Sequence, residues 1–139
     1  VMRARVGETF SETLTMTPGE AKAFSRAARD FNPLHLDEEF AANSRYGRLI
    51  VSGTQTAAHL MAMPATYFTA RSEAVGLDFS IRFHKPVYAD ETITLSWEVI
   101  EVRPTAAGRD VVDMKGRVTN QKGELAVAAT GRVMLAEKL

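Results

Sequence analysis

The feature that most narrows what this chain can fold into is the alternation of its second half. Val75, Leu77, Phe79, Ile81 and Phe83 alternate with Gly76, Asp78, Ser80 and Arg82. Ile93, Leu95, Trp97 and Val99 make a second such run, and Val112, Met114, Gly116 and Val118 a weaker third. Leu125, Val127, Ala129, Gly131, Val133 and Leu135 make the last. Side chains on a strand point alternately to opposite faces, so this period puts apolar groups on one side of a sheet. Turn residues fill the connections His84–Asp90, Pro104–Gly108 and Asn120–Gly123. Consecutive strands joined in this way are expected to pair antiparallel.

The first half reads differently. Glu8–Met16 alternates loosely, with Phe10, Leu14 and Met16 on one side, as an additional strand does. Thr17-Pro18-Gly19-Glu20 is a capping box: Thr17 caps, Pro18 takes the first helical position, and Glu20 reaches back to the Thr17 amide. Ala21, Phe24 and Ala28 keep helical spacing behind it. Asp30–Pro33 is a turn, because a residue before proline is driven out of the helical region. Asp37 caps a short second helix through Phe40 and Ala41. Ser52 is the N-cap of a third helical stretch that opens at Gly53, with Ala57, Leu60, Met61 and Met63 on its apolar faces. A helix apolar nearly all round is buried, and Pro64 is expected to end or bend this one. Strand, helices, then strands in succession, with one buried helix, define an α+β class. A doubly wound sheet would need strands and helices to alternate. No repeat or linker divides residues 1–139, which read as a single domain.

Composition excludes several kinds of chemistry. Lys plus Arg and Asp plus Glu each number 17, so the chain lacks the basic excess of a nucleic-acid binder. There is no cysteine, which removes disulfides, thiolate catalysis and cysteine-held zinc. No apolar run approaches the roughly 20 residues that span a bilayer. The expectation is a cytoplasmic protein with no membrane partner.

The chemistry concentrates in Arg29-Asp30-Phe31-Asn32-Pro33-Leu34-His35-Leu36-Asp37, followed by Gly47-Arg48-Leu49-Ile50-Val51-Ser52-Gly53. Asp and His transfer protons near neutral pH. A glycine at a helix N-terminus offers an unpaired N–H and lets a ligand approach the backbone closely. Together they offer what positioned proton transfer beside a carbonyl needs: a base, an acid, and a donor for the oxygen on which charge develops. By type alone Asp30 and Asn32 also suit a simple turn. His35 and Asp37 suit a metal site, for which no clear third ligand follows. His59, in the apolar helix, reads as a hydrogen-bonded core residue. His84 reads as exposed, and Met61 and Met63 as core residues or the lining of a tunnel for an apolar ligand.

These two segments resemble the MaoC-like dehydratases and (R)-specific enoyl-CoA hydratases, whose signature is Asp-x-Asn-Pro-x-His-x-Asp followed by Gly-Arg-x-Ile and a helix-opening Gly. Arg82-Phe83-His84-Lys85-Pro86-Val87-Tyr88 looks like the family's Phe-x-x-Pro-Val turn. The resemblance implies a hotdog fold, an antiparallel sheet around a long central helix, and a homodimer. It assigns catalysis to Asp30 and His35 and the thioester carbonyl to the Gly53 amide. It also implies an (R)-specific hydratase on acyl-CoA or acyl carrier protein thioesters, with no metal or redox cofactor. Asn32, Arg48 and Lys85 are candidate substrate contacts, the two cations through coenzyme A phosphates. Two residues depart from the pattern. Arg29 stands where many relatives carry Gly; pointing inward it would depress the Asp30 pKa, and otherwise it simply faces water. Ser52 stands where many hydratases carry His and, as a cap alone, would cost about 1 kcal/mol if truncated. A hotdog thioesterase would want a carboxylate on the first turns of the central helix, and Gly53–Leu60 has none. A non-catalytic thioester-binding subunit would be marked by loss of Asp30 or His35.

Overall fold

A computed structural model describes residues 3–137. Its elements are β1 (Thr9–Thr15), α1 (Pro18–Ala28), α2 (Pro33–Leu36), α3 (Glu38–Ala42), α4 (Gly53–Thr69), β2 (Glu73–Phe83), β3 (Thr92–Pro104), β4 (Asp110–Thr119) and β5 (Leu125–Ala136). The strands form one five-stranded sheet in the order β1-β3-β4-β5-β2, with every neighbouring pair antiparallel. It packs its apolar face on α4, where Leu60, Met63 and Phe68 meet Ile93, Leu95, Trp97, Val112 and Val127. This is the expected α+β hotdog architecture. No helix among the described residues is long and apolar enough to cross a membrane.

The expected hairpins form for β3–β4 and β4–β5, but β2 does not pair with β3. The chain between them passes across the end of the sheet instead. His84 and Lys85 donate their amides to the Ala126 carbonyl, Val51 donates to Val87, Ala89 to Leu49, and Asp90 to Met16. That passage is too long for a tight turn, and it lies over the N-terminus of α4, where the site is built.

The alternation of β2 is also interrupted. A bulge between Gly76 and Asp78 inserts Leu77 as an extra residue. Past it, Phe79, Ile81 and Phe83 share the face of the core. Before it, Ala74 and Gly76 take that face and Val75 the opposite one, because one inserted residue exchanges the faces. Val75 is 53% exposed and Leu77 50%. A second bulge, between Val99 and Glu101, leaves Ile100 as the extra residue of β3.

Pro64 does not end α4, which continues to Thr69. Proline has no N–H, so the Leu60 carbonyl one turn earlier loses its helical partner. The indole Nε1–H of buried Trp97 donates to that carbonyl at 2.8 Å. A side chain of the sheet thus replaces the bond that proline removes.

Candidate active site

Local chain rules place each group. Thr17 caps α1 by accepting the Glu20 amide proton, and the Glu20 carboxylate accepts the Thr17 hydroxyl rather than its amide. Helix α1 ends at Arg29, held in the left-handed region at φ 63°, and the turn delivers Asp30. The Asn32 side chain accepts the Leu34 amide at 3.0 Å and caps α2, a helical turn that the proline signal conceals. The Asn32 amide in turn donates to Asp30 Oδ1 at 3.3 Å. Asn32 therefore orients Asp30 and starts α2 rather than lining the cavity. Asp37 caps α3 through the Phe40 amide, as expected.

His35 is buried within α2. Its Nδ1 lies 2.9 Å from the Ile50 carbonyl oxygen. A carbonyl only accepts, so Nδ1 carries the proton and Nε2 of the neutral ring is left as an acceptor. Nε2 faces Asp30 Oδ2 at 3.5 Å, longer than a good direct hydrogen bond. Two acceptors therefore converge on one place.

The Asp30 carboxyl is held below its ordinary range, first by the Ser52 hydroxyl, which donates to Oδ2 at 2.6 Å. Partial burial opposes this, while the Asn32 amide and the nearby His35 add to it. Of the two readings of Arg29, the one in which it faces water holds, and it is not among the influences on Asp30. Arg29 is exposed and its guanidinium lies 5.8 Å from the Phe31 ring centroid. Ser52, read from the sequence as a cap, does cap α4 by accepting the Thr54 amide at 3.2 Å. It is fully buried and binds the Asp30 carboxylate as well, so it belongs to the candidate site. The signal available in the sequence was the small hydroxyl at a position where relatives place a larger residue.

Gly53, the first residue of α4, makes no backbone hydrogen bond through its amide. A Cβ there would lie 2.9 Å from the Phe83 ring. His35, Gly53, Thr56 and Phe83 line a cavity of about 290 Å³, with Ile50, Val51, Val87 and Val127 as its apolar wall. Asp30 stands beside this cavity, against His35 and Ser52.

The two candidate cations are already engaged. Arg48 donates to the Ala89 carbonyl at 2.8 Å and lies 4.2 Å from the Tyr88 ring centroid. Lys85 pairs with Glu124 at 2.7 Å. They meet Lys122 and Glu91 around a second hollow of about 360 Å³, which shares Lys85 and Pro86 with the first. Burial raises the pKa of Glu91, with Arg48 and Lys122 opposing. His59 is half-buried on α4 and lines a different cavity, with Phe10 and Tyr67. His84 is exposed at the mouth of the first. Among the described residues no group of three or more His, Asp or Glu side chains is placed to hold a metal ion.

A hotdog domain with an Asp–His pair beside a free helix-opening amide is a site for acid–base chemistry on a carbonyl compound. The chain belongs to the MaoC-like family, whose model, described as a MaoC like domain, matches residues 3–122. It is 31% identical over 133 residues to the (R)-specific enoyl-CoA hydratase of Aeromonas caviae, covering 96% of this chain and 92% of that protein. The solved structure of the (R)-hydratase from A. caviae involved in PHA biosynthesis superposes with a TM-score of 0.83, at 28% identity, covering 94% of this chain and 96% of that one. R-hydratase PhaJ1 from Pseudomonas aeruginosa gives 0.84 at 27% identity, covering 97% and 84%.

Proposed function

We propose that this protein interconverts a 2-enoyl thioester and a 3-hydroxyacyl thioester, carried on coenzyme A or an acyl carrier protein, as an (R)-specific hydratase. One observation carries the reading: the His35 ring, pinned through Nδ1 to Ile50, turns Nε2 toward Asp30 at the edge of the cavity that holds the free Gly53 amide. A water molecule can donate one hydrogen to Asp30 and one to Nε2. Its oxygen then attacks the β carbon of the enoyl group. The proton it loses goes to the Asp–His pair, and the pair returns one to the α carbon, so no net proton is consumed. The charge that passes through the thioester oxygen meets the Gly53 N–H and the positive end of α4. Asn32 and Ser52 hold Asp30, while Arg48, Lys85 and Lys122 offer positive charge to the phosphates of the carrier at the shared mouth.

The decisive assay measures hydration of a panel of trans-2-enoyl-CoAs by loss of the conjugated absorbance, with a chiral assay of the product. Turnover to the (R)-3-hydroxy product is expected. Asp30→Ala and His35→Ala should each lower it by roughly 10²–10⁴-fold, without adding in the double variant. Near-normal turnover in either folded variant would remove that residue from the mechanism.

A further inference from the structure

We infer that the Thr56 hydroxyl is a second donor to the thioester oxygen, completing with the Gly53 amide a two-donor cradle; the inference rests on the function proposed above. Thr56 is 1% exposed, and its Oγ1 is buried without a hydrogen-bond partner. It lines the same cavity as Gly53 and His35. An unpaired hydroxyl in such a place costs stability, so its retention needs a reason. Thr56 has an available alternative, since threonine in a helix can bond the carbonyl one turn back. The Ser52 carbonyl already receives the Gln55 amide at 3.0 Å and the Thr56 amide at 3.3 Å, and the Thr56 hydroxyl makes no third bond to it.

Helical geometry supplies the direction. Thr56 follows Gly53 by three residues, which places it on the same face about 4.5 Å along the axis. Side chains of a helix lean back toward its N-terminus. The hydroxyl therefore leans toward the end of α4 at which the Gly53 N–H is free, and an oxygen seated on that amide comes within its reach. A hydroxyl donates there without adding charge. It binds the negative oxygen of the transition state more tightly than the neutral carbonyl of the ground state, which is the condition for raising kcat rather than lowering KM alone.

The test uses Thr56→Val, which keeps the branched shape and removes the hydroxyl, and Thr56→Ser, which keeps the hydroxyl. With crotonyl-CoA, Thr56→Val should lose about 10- to 100-fold in kcat with a smaller change in KM. Thr56→Ser should retain most of the activity. The Tm of Thr56→Val should equal or exceed that of the wild type, because an unpaired buried hydroxyl has gone. Active wild type with an equally active Thr56→Val overturns the inference and leaves the hydratase reading standing; so does a fall in Tm, which would reveal a structural partner for the hydroxyl. Should the wild type not hydrate crotonyl-CoA, acetyl-CoA binding by calorimetry still decides, because it presents the same thioester oxygen. At least fivefold weaker binding by Thr56→Val, restored by Thr56→Ser, supports the contact. Equal binding, or none by either protein, overturns it.

Discussion

Arg29 and Ser52, the residues that precede Asp30 and Gly53, do different work from what their types imply. Arg29 occupies a left-handed C-cap at φ 63°, a conformation that glycine enters freely and other residues enter at a cost. Arg29→Gly should therefore raise stability by about 0.5–1 kcal/mol and leave the acid limb of the kcat/KM profile in place, because Arg29 does not act on Asp30. A loss of stability in urea melts would contradict this. Ser52→Ala should do the reverse. It removes the α4 cap, about 1 kcal/mol, together with the largest influence holding the Asp30 pKa down. The acid limb should then move to higher pH. The sign for stability follows from linkage: a depressed carboxylate stabilises the fold above its unfolded pKa and loses that contribution as pH falls through the folded value. The Ser52→Ala penalty should thus be larger at pH 7 than near pH 3, and a pH-independent penalty with an unmoved acid limb would mean that Ser52 only caps. That Asp30, His35 and Gly53 come together was legible in the sequence, because a motif fixes their types and spacing. The second bond of Ser52 was not, since it joins segments 22 residues apart that only the fold brings together.

At the scale of elements, caps and apolar periods read well and long-range compensation does not. Thr17, Asp37 and Ser52 start helices where their types say they should. The period of β2 located the strand but mistook the face of Val75, because a bulge is one residue with no strong local signature. The pairing of β2 with β5 was also hidden, since alternation names a strand and not its neighbour. Of the two outcomes expected at Pro64, the helix does not end there: its missing N–H is answered by Trp97, 33 residues further along the chain. This device is testable by a cycle. Trp97→Phe leaves the Leu60 carbonyl unpaired and removes packed volume, and should cost about 2–4 kcal/mol. Pro64→Ala restores a helical donor to that carbonyl. The two changes together should cost less than the sum of the separate effects, by about 1 kcal/mol. Strict additivity in chemical denaturation would show that the Trp97 hydrogen bond does not replace the proline's missing one.

For the whole molecule, the open question in the described chain is its two sheet edges. A free edge offers unpaired backbone groups, and proteins protect or use it. The edge at β1 is lined by polar residues, Thr9, Ser11, Glu12, Thr13 and Thr15, all exposed. The edge at β2 exposes large apolar groups among Glu73, Asp78, Ser80 and Arg82: Val75, Leu77 and Phe83 are 53%, 50% and 55% exposed. Apolar groups exposed along an unpaired edge strand suit an interface. A two-fold axis there would pair β2 with its own copy and make one continuous sheet. The seam would also touch the candidate site, because Phe83 packs against Gly53 and walls the cavity that His35 lines. We therefore expect a homodimer joined at β2, with activity that depends on assembly. Light scattering at micromolar concentration should give twice the 15.3 kDa mass of the chain. Leu77→Asp places a charge on the seam away from Asp30 and His35, and should shift the mass toward the monomer. Its turnover should fall with dissociation and recover as protein concentration rises. A wild-type monomer would remove the dimer from this account, and a monomeric Leu77→Asp variant with full turnover would show that each chain forms a complete site alone.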